Sequence, residues 1–238
     1  MIERSLPAGM AGGDTADAAF IAGRLLQVRE RLSAVNGEGV RVVAVTKAHA
    51  ADVVAAAIDA GCTDIGESYA QELLHKNREL LADCQNRPQV HFVGGLQRNK
   101  IRKLASIVDV WQSVDRLDLG EELARRSPRA RVMVQVDLSG EQAKRGCPAE
   151  KVPDLVARFA DLGLDVVGLM GIGPTGAPEK ARPGFAMLRG LVDRLGLSEC
   201  SMGMTADLEI AVQEGSTMVR VGTCLFGPRP SRRRKIEQ

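Results

Sequence analysis

Eight times along this chain of 238 residues, a short β-branched or apolar run gives way to a stretch whose apolar positions recur at helical spacing. That alternation constrains the fold more than any other feature. Strands joined through helices run parallel, because each helix carries the chain back to the start of the next strand, and the helices must then cover the sheet. The strand candidates are 42–46, 63–66, 90–94, 107–111, 132–137, 166–170, 200–202 and 218–222, the second being short and partly polar. Ahead of them Ile21, Leu25, Val28 and Leu32 space an amphipathic helix that begins at Asp14 and ends near Asn36-Gly37. An Ala/Val-rich helix runs from Ala51 to a stop at Gly61. Ser68 with Gln71 reads as a capping box, Pro148 suits a first helical turn before Val152, Leu155 and Phe159, and Phe185, Leu188, Val192 and Leu195 mark another helix.

Eight such units fit a single-domain (β/α)8 TIM barrel, which typically takes about 250 residues. An open doubly wound sheet is the alternative, but no G-x-G-x-x-G follows the first strand, and the polar residues gather at strand C-termini, where barrel sites lie. The chain therefore divides into a flexible N-terminus (1–13), the barrel (14–230) and a basic C-terminal tail (231–238). Composition narrows the partners. A net charge of +2 argues against a generally basic nucleic-acid surface or attraction to anionic lipid, and 3% aromatics cannot build base-stacking platforms. The run from Arg232 to Lys235 reads as a solvated tail, with a nucleic-acid contact as the weaker alternative. Five scattered cysteines, no CxxC pair and no apolar leader or bilayer-length run point to reduced thiols in the cytoplasm, with no membrane partner. A monomer is expected.

Certain residues ask for a chemical reason. Lys47 closes the first strand in the pleat phase of Val43 and Val45, so an inward-facing amine there would be desolvated and suited to a Schiff base; snorkelling to solvent is the alternative. Arg220, in phase with Met218, needs a partner if it faces inward. A phosphate, a carboxylate or an aromatic ring nitrogen would serve, as would an internal salt bridge to Glu67. The segment from Ser201 to Asp207, which runs through a turn at Gly203 into a helix, and Gly222 with Thr223 after the last strand, offer amides to an anion, although glycines at strand ends are commonly turn residues. Glu67 and Ser68 after the second strand, and Gln97 and Asn99 after the third, are softer candidates. His49, His75 and His91 lack metal spacing and read as structural or exposed.

The blocks V-A-V-T-K (43–47), I-G-E-S-Y-A-Q-E (65–72), H-F-V-G-G-L-Q-R-N-K (91–100), G-L-M-G-I-G-P (168–174), S-M-G-M-T-A-D-L-E-I-A (201–211) and R-V-G-T-C-L-F-G (220–227) resemble those of the pyridoxal 5'-phosphate homeostasis protein family, in that family's order. The resemblance implies a barrel similar to the alanine racemase N-terminal domain (PLP fold type III), with pyridoxal 5'-phosphate (PLP) held as an aldimine on Lys47. It further implies a phosphate site from Ser201, Met202, Gly203, Gly222 and Thr223, a ring nitrogen facing Arg220, and Ser68 near the ring. Such proteins act in PLP (vitamin B6) homeostasis without an established reaction, with apo PLP-dependent enzymes as candidate recipients. A PLP-dependent racemase, or a Schiff-base lyase acting on a phosphorylated sugar, is the enzymatic alternative. Alanine racemase uses a second domain with a catalytic tyrosine, whereas the one tyrosine here is Tyr69 and nothing follows Gln238. Thr46, Ser68, Gly95 and Thr205 stand where the family pattern has Ser, Asn, His and Ser.

Overall fold

The computed structural model describes residues 17–141 and 144–228, so Asp14, the 1–13 segment and the basic tail lie outside the described residues. Eight strands, β1 Arg41–Val45, β2 Asp64–Glu67, β3 Gln89–Phe92, β4 Val110–Val114, β5 Arg131–Val136, β6 Asp165–Gly171, β7 Glu199–Ser201 and β8 Met218–Val221, pair in sequence order. β8 returns to β1, with Val43 beside Arg220, and closes a parallel TIM barrel rather than an open sheet. Helices α1 Ala18–Ser33, α2 Ala51–Asp59, α3 Ala70–Lys76, α4 Arg98–Leu104, α5 Leu117–Arg126, α6 Val152–Asp161, α7 Arg182–Arg194, α8 Leu208–Gln213 and the one-turn α9 Thr223–Phe226 surround it.

The sequence explains α1 locally. Asp17 caps it by accepting the Phe20 amide at 2.7 Å, and the chain leaves the helix through Asn36, whose φ of 60° suits Asn better than a branched residue. Ile21, Leu25, Val28 and Leu32 are all buried, packed in one cluster with Ala44, Val219 and Val221. Truncating Ile21, Leu25 or Leu32 to Ala would cost about 2–5 kcal/mol. A second, larger cluster lies between the sheet and helices α2 to α8, with Trp111, Phe92, Phe159 and Phe185 as its largest aromatics.

Inside the barrel, Val43, Val110, Met133, Met170 and Met218 form an apolar plug. Alternation then aims Asp64, His91, Gln112, Ser201 and Arg220 inward as well. They are linked end to end. Arg220 Nη1 donates to Ser201 Oγ (2.7 Å), which meets Gln112 Oε1 (2.7 Å); Gln112 Nε2 contacts His91 Nδ1 (2.8 Å), and His91 Nε2 contacts Asp64 Oδ1 (2.9 Å). Read with every donor pointing the same way, the chain makes His91 a neutral imidazole carrying its proton on Nε2.

Several local expectations are corrected. The fourth strand lies at Val110–Val114 rather than 107–111, because Ile107 and Val108 are buried in the approach to β4 while the polar Gln112 and Ser113 belong to the strand. β1 ends at Val45, leaving Lys47 in the turn beyond it. Ser68 caps nothing: Tyr69 is the N-cap of α3, without a side-chain bond. Pro148 precedes a short 3-10 turn, Ala149–Lys151, and Pro153 occupies the first turn of α6 instead.

Candidate functional site

At the C-terminal mouth of the barrel lies a cavity of about 310 Å³. Val45 and Lys47 reach it from β1 and the turn that follows, Ser68 from the loop after β2, Val93 from the end of β3, and Ile172 from beyond β6. Met204, Thr205 and Ala206 line it from the loop between β7 and α8. Arg220, Gly222, Thr223 and Gly227 line it from β8 and the chain that follows, and His49 lies near the β1 turn with its ring 5.1 Å from that of Phe226. A largely apolar pocket with a few converging polar groups is the usual form of a small-molecule site.

Five of the expected residues, Lys47, Ser68, Arg220, Gly222 and Thr223, come together there. Lys47 is half-buried, a compromise between the desolvated amine and the snorkelling one. Ser201, Met202 and Gly203 lie deeper: Ser201 and Met202 are fully buried, with Ser201 engaged by Arg220 and Gln112. The next residues, 204–206, form the lining. Read from sequence, 201–207 is one segment, and only the family resemblance narrows it to the first three residues; the part facing the cavity is the one just before Asp207, the N-cap of α8. His49, expected to be structural or exposed, is a lining residue that sequence reasoning missed; His75 pairs with Glu79 on the surface, and His91 sits inside the barrel. Gln97 lines a neighbouring cleft with Tyr69, Gly95 and Lys100, which meets the cavity at Ser68, and Asn99 is exposed on α4.

Arg220 does not pair with Glu67. Its guanidinium donates to the Ser201 carbonyl (2.8 Å), the Ser201 hydroxyl and the Gly171 carbonyl (2.8 Å), all neutral acceptors. Burial therefore pulls it down to about 10, with the Asp207 carboxylate opposing, and it remains a cation at neutral pH. Glu67 points to the outer face of the sheet, bonded to Lys76 Nζ (2.5 Å) and Thr46 Oγ1 (2.6 Å). Burial pushes its carboxyl up, and the Lys76 ammonium pulls it back. Two cations of different kinds thus converge on one cavity, an amine at its rim and a fixed guanidinium in its wall. Gly222 and Thr223 add the start of α9, where first-turn amides have no carbonyl partner within the helix and the Thr223 hydroxyl adds a donor. An anionic ligand with an electrophilic carbon suits that set. Among the described residues no group of three or more His, Cys, Asp or Glu could hold a metal ion, and no helix is long and apolar enough to cross a membrane.

Comparison with known proteins agrees with this geometry. Residues 19–230 match the family model "Alanine racemase, N-terminal domain". The pyridoxal phosphate homeostasis protein of Pseudomonas aeruginosa is 40% identical over 213 residues, covering 85% of this chain and 91% of its own. Its Escherichia coli counterpart is 35% identical over 229 residues, covering 88% and 97%. Among solved structures, PipY of Synechococcus elongatus with PLP bound superimposes with a TM-score of 0.76 at 33% identity, over 87% of this chain and all of that one. The chain therefore belongs to the alanine racemase N-terminal domain family and, within it, to the pyridoxal phosphate homeostasis proteins.

Proposed function

We propose that this chain binds PLP, holds it covalently through Lys47 and serves intracellular PLP homeostasis without catalysing a reaction of its own. The observation that carries this reading is the convergence of Lys47, Arg220 and the Gly222-Thr223 backbone on one cavity of about 310 Å³. That donor set fits the cofactor. Lys47 would attach the aldehyde carbon as a C=N bond with loss of water, the Gly222 and Thr223 amides and the Thr223 hydroxyl would take the phosphate, and Val45, Ile172 and Met204 would enclose the ring. Ser201, Met202 and Gly203 act from below by fixing Arg220 and the loop of 204–206, and Ser68 bounds the cavity from the β2 side.

Bound PLP would supply an electron-poor ring able to stabilise a carbanion, provided its nitrogen is protonated. With Arg220 facing that nitrogen, its buried guanidinium would keep the nitrogen unprotonated and weaken the ring as an electron sink, which favours a carrier over a racemase. The reading extends to a monomer in the cytoplasm, with apo PLP-dependent enzymes as recipients. Mixing the purified protein with PLP should give a yellow adduct that borohydride fixes on Lys47, and Lys47→Ala should abolish both. A colourless protein with no fixed adduct would sink the proposal, and alanine racemisation lost in Lys47→Ala would replace it with the enzymatic alternative.

A further inference from the structure

Lys47 sits in a turn that its own sequence does little to favour. The His49 amide donates to the Thr46 carbonyl at 3.1 Å, closing a four-residue turn with Lys47 and Ala48 at its centre, and Ala48 has a φ of +66°. Glycine or asparagine is the residue such a position prefers; an alanine there is held by its surroundings. Those surroundings come from α3 and β2. Glu72 Oε2 accepts the Ala48 amide at 2.8 Å, and one helical turn further along the same helix Lys76 Nζ donates to the Thr46 carbonyl at 2.8 Å. Lys76 is held in turn by Glu67 Oε1 at 2.5 Å, and that same carboxylate oxygen accepts the Thr46 hydroxyl at 2.6 Å. Lys47 is thus gripped on both sides of its backbone, through Thr46 before it and Ala48 after it, by three charged side chains that do not line the cavity.

Burial makes a merely structural account of the Glu67–Lys76 pair unsatisfying. The two side chains are 0% and 2% exposed, and Glu67 Oε2 has no hydrogen-bond partner among the described residues. Buried ion pairs of this kind commonly stabilise a fold no better than apolar residues of similar volume. What the pair does hold is the carbonyl and the hydroxyl of Thr46, the residue next to the lysine.

We propose that Glu67, Glu72 and Lys76 are positioning residues that clamp the 46–49 turn and so aim the Lys47 amine into the cavity. The inference rests on the assignment of Lys47 as the PLP attachment point. It predicts a loss of preorganisation: with the clamp open, the lysine samples orientations that cannot form or keep the C=N bond.

The test compares wild type with Glu72→Ala, Glu72→Gln and the apolar double replacement Glu67→Met with Lys76→Met. Each is read by the rate of Schiff-base formation with PLP, by its retention after dilution, and by melting temperature without PLP. Glu72 is only partly buried, so Glu72→Ala should fold normally yet lose PLP about five- to tenfold faster, the cost of one hydrogen bond, while Glu72→Gln, which keeps the acceptor oxygen, should stay within about twofold of wild type. The double variant should melt near wild type and show the same weakened retention; if it does not fold, the two Glu72 variants decide. Wild-type rates of formation and retention in Glu72→Ala would overturn the clamp while leaving the PLP reading intact. A wild-type protein that forms no adduct on Lys47 would overturn both.

Discussion

A single arginine shows how this chain trades stability for a ligand. Arg220 is buried against neutral oxygens, so no carboxylate among its hydrogen-bond partners offsets the cost of removing a cation from water. That cost is several kcal/mol, of the same order as the about 1.5–3 kcal/mol that each of its three hydrogen bonds returns. Arg220→Met, which fills similar space, should therefore leave the ligand-free protein about as stable as wild type, while weakening PLP binding. Thermal denaturation without PLP checks the first half and a PLP titration the second; a strongly destabilised Arg220→Met would mean that the guanidinium is structural. At this scale the sequence was legible where chemistry is unusual for its place. An arginine in phase with Met218, or a lysine in phase with Val43, is conspicuous because strand interiors rarely hold charge. The residues holding Arg220 were not legible, since Ser201 and Gly171 are separated from it by 19 and 49 positions and meet it only through barrel closure.

The element that most depends on one residue is the link from β7 to α8. Gly203 has a φ of +93°, and a Cβ built on it would stand 2.5 Å from the Ala211 Cβ on α8 and 3.3 Å from Val219 on β8. Its carbonyl also accepts the Arg220 amide at 2.9 Å. Gly203→Ala therefore combines a disfavoured backbone with a clash against a packed helix, and should cost more than about 2 kcal/mol in urea denaturation. Because 204–206 hang from this turn, PLP affinity should fall with it. Unchanged stability would show that α8 can slide to accommodate the methyl group. The same segment marks where element-level reading stops. Seven strand positions were recognisable from apolar runs to within a residue or two at each end, but β4 was displaced toward Ile107, whose apolar run stops where Gln112 and Ser113 begin; Gln112 bonds Ser201 inside the barrel and Ser113 donates to the Gly94 carbonyl beyond β3. A barrel interior with a polar stripe breaks the rule that buried strands are continuously apolar. Ser68 misled in the opposite way: a serine three residues before Gln71 satisfies the capping pattern, yet the helix starts two residues later and leaves the hydroxyl-bearing residue at the cavity.

For the molecule as a whole, closure of the sheet concentrates the strand ends in one place, so that the loops after β5 and β6 sit side by side at the mouth. Glu141 ties them: its carboxylate accepts from Lys144 Nζ at 2.9 Å, from the Thr175 amide at 2.8 Å and from the Thr175 hydroxyl at 2.9 Å, and Lys144 also donates to the Gly173 carbonyl at 2.7 Å. The Lys144 bond first, then the Thr175 amide, hold the carboxyl down to about 2 from an ordinary 4.5. A folded-state value below the unfolded one means that ionised Glu141 stabilises the fold at all pH values above the ordinary one. That contribution fades as pH falls from about 4.5 and is lost once protonation is complete below about 2. Glu141→Gln should thus be less stable than wild type by a fixed margin from pH 5 upward, and the margin should shrink toward zero as the pH approaches 2. Urea denaturation of both proteins across that range measures it, and because the site is partly exposed the margin should also narrow at high salt. A margin independent of pH would assign the loop tie to the geometry of the side chain rather than to its charge.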